Sequence, residues 1–198
     1  AQPGHTGITR AMATACEINK IVDCDLPNLC LCGNKLSQDA NIYTRRQVYD
    51  ICTNNRNVIL TEYRQYKTQC TKCYRSHKGE LPAEIDNTIV GNELKALIAT
   101  MVGEFHLSKS QIVKFLNMLY GLKISAGTVS NTEARISTAL QPTYDTAKRS
   151  MQKQEVLHCD ETRNIENNKT NWAWVGTNDN LTVFMLDKSR GKKVCKIY

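Results

Sequence analysis

The sequence predicts a modular α+β fold: a β-hairpin closed by cysteine pairs, a helical segment, and a final set of antiparallel strands. Three observations predict it. Two close cysteine pairs bracket a strand-like stretch, apolar residues then recur at helical spacing, and from Glu155 onward the pattern switches to period two. With 198 residues and 41% hydrophobic content, the chain can bury one good core or two small ones. A formal charge of +7 suits a nucleic-acid partner without demanding one. No apolar run is long enough to span a membrane, and no charged-then-apolar leader opens the chain. Nine cysteines without a secretory signal favour metal ligation or free thiols in a reducing cytoplasm over a disulfide scaffold.

Residues 1–27 read as an extended lead-in. The Gln2-Pro3-Gly4-His5-Thr6-Gly7 stretch continues neither helix nor strand, and Ile21–Cys24 is a short first strand. Residues 28–82 carry the clearest chemistry. Cys30-Leu31-Cys32-Gly33 and Cys70-Thr71-Lys72-Cys73 can supply four thiolates to one tetrahedral Zn²⁺, and Gly33 allows the tight turn such a site needs. Between them, Ile42–Ile51 and Val58–Tyr63 read as two strands joined by a turn over Thr53–Asn57. The result is a zinc ribbon, a hairpin clamped at its open end by metal. The competing reading is free thiols in a small core, and His77 offers an alternative ligand. Cys16, Cys24, Cys52, Cys159 and Cys195 stand apart and read as small buried hydrophobes.

Residues 88–152 read as helices. Leu94, Leu97, Ile98, Met101, Val102 and Phe105 share one face. Ser108 with Gln111 forms a capping box for a second helix, whose stripe is Ile112, Phe115, Leu116 and Leu119, and Gly121 stops it. Ser125 caps a third helix with Val129, Ile136 and Leu140 inward; Pro142 ends it and opens a further helix to about Met151. The helix-turn-helix spacing would aim Thr128, Ser130, Asn131 and Arg135 at a DNA groove, but an ordinary packed hairpin is the favoured reading, because the exposed face carries Glu133 and only one Arg.

Residues 153–198 read as a meander: a strand over Val156–Asp160, a polar turn over Asn164–Thr170, then strands over Asn171–Val175 and Leu181–Leu186. Trp172 and Trp174 share a face as packing anchors. An acid inside a strand is costly, so Asp160 asks for a reason. One is a hard oxygen ligand for Mg²⁺ or Mn²⁺; the other is that the strand ends at His158 and the acids lie in a solvated turn. Lys188, Arg190, Lys192 and Lys193 could contact phosphates or simply begin a solvated helix.

In this order, Gln2-Pro3-Gly4-His5-x-Gly7, the cysteine pairs, Gly79-Glu80-Leu81-Pro82, the Ser108 to Thr128 block, His158-x-Asp160-Glu161-Thr162, Trp172-x-Trp174-Val175 and Lys188-Ser189-Arg190-Gly191 resemble the insertion sequence 66 family of bacterial DDE transposases. The resemblance implies that residues 153–198 begin a ribonuclease-H-like domain and that Asp160 is the first of three catalytic carboxylates. It also implies Mg²⁺ or Mn²⁺ as cofactor, zinc as a structural ion, and transposon-end and target DNA as partners. A homo-oligomer is compatible, and the setting is the bacterial cytoplasm at the nucleoid. The family's second Asp and final Glu have no counterpart before Tyr198. Asp187 closes a strand and Glu161 points away from Asp160, so the expectation is an incomplete chain, inactive alone. A non-catalytic zinc-containing DNA-binding protein and a functionless remnant are the alternatives.

Overall fold

The computed structural model describes residues 11–52, 54, 57–85 and 88–191. The Gln2–Gly7 stretch, most of the Thr53–Asn57 turn, Lys192, Lys193 and Cys195 lie outside the described residues. The chain divides into two compact units, Ala1–Glu133 and Ala134–Tyr198. The expected ribbon thus falls in one unit with the first two helices.

In the first unit, β1 (Lys20–Cys24), β2 (Ile42–Cys52), β3 (Asn57–Gln69) and β4 (Ser76–Lys78) form one sheet with β3 at its centre. β2 and β3 pair antiparallel as the expected hairpin, longer at both strands than the alternation indicated, with a register shift between Ile42 and Thr44. β1 is the expected short first strand at Ile21–Cys24, one residue longer, and it pairs parallel to β3. β4 is a further short antiparallel partner. Helices α1 (Asn92–Gly103) and α2 (Lys109–Tyr120) pack their apolar faces on the far end of the hairpin, burying Leu94, Ile98, Met101, Ile112 and Leu116 with Ile51 and Val90.

The join between hairpin and α1 is specific. The N–H of Tyr49 donates to the Ile89 carbonyl and that of Gly91 to the Tyr49 carbonyl, both at 2.8 Å. Asp50 Oδ1 then accepts the Leu94 N–H at 2.8 Å, satisfying an orphan donor of the first helical turn. A Cβ at Gly91 would run into the Asp50 carboxylate. The Ser108–Gln111 capping box is present, and Gly121 ends α2 in the left-handed region at φ 64°.

A buried carboxylate organises the sheet. Glu62 is 0% exposed and accepts from Gln47 Nε2 and Arg64 Nε, both at 2.9 Å. Burial pushes its carboxyl up, but those hydrogen bonds together with the charges of Arg45 and Arg64 hold it below the usual range. A depressed folded value stabilises above the unfolded pKa of about 4.3 and is lost as pH falls through the folded value. The stability advantage of the parent over Glu62→Gln, measured by urea unfolding, is therefore expected to narrow below about pH 4. An advantage independent of pH would contradict this.

Helix α3 (Ala126–Met151) corrects the reading of Pro142 as a break, since it runs through that residue. A mid-helix proline costs about 3 kcal/mol. The turns around it are braced by Thr138 and Thr146, whose hydroxyls donate to the Ala134 and Pro142 carbonyls at 3.0 and 2.9 Å. Beyond the proline, Tyr144, Ala147 and Met151 pack on the sheet that follows, so tertiary contacts outweigh the local penalty. Phe105, Leu119 and Leu140, expected inward, are exposed.

In the second unit, β5 (His158–Glu166), β6 (Lys169–Thr177) and β7 (Thr182–Asp187) form the expected antiparallel meander in sequence order. β5 starts and ends later than expected and runs through both acids, which removes the solvated-turn reading. Its turn is two residues, Asn167 and Asn168, at φ 49° and 58°. Paired positive φ values are what a tight hairpin connection demands. Trp174, Val183 and Met151 are the buried centre.

Candidate metal centre and the Asp160 strand

Each cysteine pair is delivered by a tight turn at the open end of the hairpin. In the first, the Cys30 N–H donates to the Asn34 carbonyl and the Gly33 N–H to the Cys30 carbonyl, both at 2.8 Å, with Gly33 at φ 79°. In the second, the Cys70 N–H donates to the Arg75 carbonyl and the Tyr74 N–H to the Cys70 carbonyl, both at 2.9 Å. The four sulfurs lie within 4.8 Å of one another. Cys30 Sγ is 3.4 Å from Cys73 Sγ, and Cys32 Sγ is 3.6 Å from Cys70 Sγ. A tetrahedral zinc with sulfur bonds near 2.3 Å has edges of about 3.8 Å, so the donor set and its spacing fit that ion.

Of the two neighbours of the cluster, the sequence singles out His77 as an alternative ligand but not Asn34. Asn34 Nδ2 reaches Cys70 Sγ at 3.6 Å and Thr71 Oγ1 at 3.2 Å, linking the two turns. His77 Nε2 lies 3.2 Å from Cys30 Sγ, beside the four sulfurs rather than in place of one. The Cys73 N–H above all pulls the Cys70 thiol down to about 6; burial opposes it, and the Lys72 N–H and the Asn34 amide assist. For Cys30, the Cys32 N–H pulls down, but burial and the Cys73, Cys32 and Cys70 sulfurs together push it up to about 12. Without metal the cluster therefore favours its negative charge on Cys70, and a cation taking all four sulfurs must displace protons. Of the other cysteines, Cys24 is buried as expected and Cys52 half-buried. Cys16 and Cys159 are exposed, which corrects their reading as core residues.

Asp160 is the third residue of β5, exposed, its Oδ1 accepting the Glu161 N–H at 2.8 Å. The register pairs Asp160 with Val175, and Val175 with Phe184, so these side chains share one sheet face with His158 and Thr162. Phe184 and Leu186 on that face are 68% and 60% exposed. The opposite face carries Trp172, Trp174 and Glu161 and is covered by the α3 packing. Asp187 pairs with Trp172 on this covered side, so neither Asp187 nor Glu161 shares the face of Asp160.

Arg190 is already engaged: its Nε donates to Glu161 Oε1 at 2.8 Å and its guanidinium lies 4.8 Å from the Trp172 ring centroid. Lys188 is exposed. In the first unit, Lys109 Nζ meets Glu133 and Ser130, both at 3.0 Å, and Thr128 and Ser130 are half-buried, so α2 and the start of α3 make a packed helical pair.

No helix among the described residues is long and apolar enough to cross a membrane. A family model described as Transposase IS66 family matches residues 87–197, more than half of the chain, beginning after the cysteine module. No curated protein matches the chain.

Proposed function

This chain belongs to the IS66 transposase family, and on that premise we propose that it works on duplex DNA as part of a transposase. In this reading residues 28–82 are a zinc ribbon holding one structural Zn²⁺ through Cys30, Cys32, Cys70 and Cys73. The β5–β7 sheet and the helix packed on it open a ribonuclease-H-like catalytic unit, with Asp160 as its first metal-binding carboxylate. The setting is the bacterial cytoplasm, at the nucleoid. One observation carries the assignment of Asp160: within the family-matched span, a carboxylate stands inside a strand, paired on the ladder, on an open sheet face. Nothing in the local packing calls for an acid there.

The fit to a catalytic ion is incomplete. Among the described residues no two further acids or histidines join Asp160 within ligand distance. A single carboxylate holds Mg²⁺ or Mn²⁺ poorly, because the ion keeps its waters unless several oxygens are supplied. Two-metal phosphoryl transfer therefore requires acids beyond those that the described residues bring to Asp160. We expect this chain by itself to bind DNA without cutting or joining it. In a strand-transfer-competent polypeptide carrying this sequence, Asp160→Ala should abolish Mg²⁺-dependent strand transfer while leaving DNA binding within about twofold. Full activity in that variant would remove Asp160 from the catalytic role.

The missing acid cluster also favours a second reading, a non-catalytic zinc-containing DNA-binding protein. Both readings require salt-sensitive duplex binding. They part on Asp160, whose loss changes nothing under the second.

A further inference from the structure

The β3–β4 register sets Lys67 directly opposite Lys78. Both are exposed, and like charges directly opposite in a sheet are destabilising. The turns at the same end of the sheet add Lys35, Lys72 and Arg75, all exposed. Residues 28–38 and 66–79, which supply all five cations, contain no Asp or Glu. Among the described residues none of the five takes part in an ion pair; Lys67 instead lies 5.1 Å from the Tyr43 ring centroid. Four thiolates on a divalent ion carry a double negative charge, which five cations exceed.

We infer that this acid-free strip, Lys67 and Lys78 on the strands with Lys35, Lys72 and Arg75 on the cysteine turns, is a phosphate-binding surface for duplex DNA. The inference rests on the transposase reading, and assigns the DNA contact to a surface outside the family-matched span. The Lys67–Lys78 pair argues for a polyanion most directly. Its repulsion is a standing cost in the free protein, and a phosphate chain running past the strands relieves it. A cation set so placed, on rigid strands and metal-braced turns, follows a backbone without reading bases.

The test measures binding of the zinc-loaded full chain to a labelled duplex by fluorescence anisotropy across salt concentrations. Each contacted phosphate contributes about 0.9 to the slope of log affinity against log salt. The quadruple variant Lys67→Gln/Lys72→Gln/Arg75→Gln/Lys78→Gln is expected to lower that slope by about 3 to 4. Neutralising the exposed Lys114, Lys123, Lys153 and Lys169 removes equal charge and should lower it by less than about 1. The double variant Lys67→Gln/Lys78→Gln is expected to lower the slope by about 2 while keeping or raising the melting temperature, which guards against a misfolded quadruple variant. Equal slope changes in the strip and control variants would overturn the inference and leave the transposase reading intact. So would stronger binding to phosphatidylserine vesicles than to duplex. Failure of the parent chain to bind duplex at low salt would overturn both.

Discussion

Removing the metal, or replacing Cys70 by Ser, is expected to unfold the open end of the hairpin while the α1–α2 end stays folded. The buried residues around the cluster are Cys30, Leu36 and Cys70, and two of these belong to the four-sulfur cluster itself. Little apolar surface remains to hold the turns together once the ion is gone. Structural zinc in isolated finger peptides is worth roughly 10–16 kcal/mol. The larger core on Ile51, Val90, Leu94 and Ile98 does not touch this end, so its loss should stay local. Hydrogen exchange should accelerate in residues 28–38 and 66–79 on chelation and remain slow in residues 92–120. Metal analysis should give one zinc per parent chain and none in Cys70→Ser. Because binding displaces thiol protons, the ion should also be released as the pH is lowered. Unchanged exchange after complete zinc removal would show that the cysteines merely pack.

Replacing Trp174 by Ala should cost about 3–5 kcal/mol, the usual loss for a large buried aromatic. The second unit has a small core: Met151, Trp174 and Val183 are its buried centre. Trp174 also donates through Nε1 to the Ser189 carbonyl at 3.1 Å, which ties the segment after β7 to the sheet. A loss of that size is a large share of the 5–15 kcal/mol that stabilises a whole domain, so the strand carrying Asp160 should lose its exchange protection. Trp172→Ala is the matched control. That residue is half-buried beneath Arg190, and its loss should cost clearly less. Equal costs for the two would mean that Trp174 does not anchor the sheet.

The legible parts of this fold were those in which neighbouring residues specify each other. The Ser108–Gln111 box, the Gly121 stop and the two cysteine pairs are local signals, and all appear where expected. The expected family also agrees with the match over residues 87–197. What escaped depends on partners distant in sequence. β4 has three polar residues and no alternation of its own; pairing with β3 makes it a strand. β5 continues through Thr162–Glu166 without an apolar stripe, because β6 supplies its hydrogen bonds. The Asn167-Asn168 pair was a turn signal in plain view, and the broad polar span around it hid the two-residue loop. α3 continues through Pro142, against its local propensity, because Tyr144, Ala147 and Met151 in the turns that follow pack on the β5–β7 sheet. For Asp160, the strand placement was readable but the acids that would complete a metal site were not among the residues brought near it.

The contact between Asp50 and Gly91 carries a consequence for how these sequences can change. The Asp50 carboxylate reaches the first turn of α1 past a residue with no side chain, and a Cβ at 91 would meet the carboxylate and the Cβ of Asp50 alike. The two positions are therefore in direct contact although 40 residues separate them along the chain. A change at 91 alone blocks the carboxylate, and a change at 50 alone leaves the helix start uncapped. A side chain at 91 is therefore expected to cost more than the loss of the cap at 50, because it displaces the strand as well as the carboxylate.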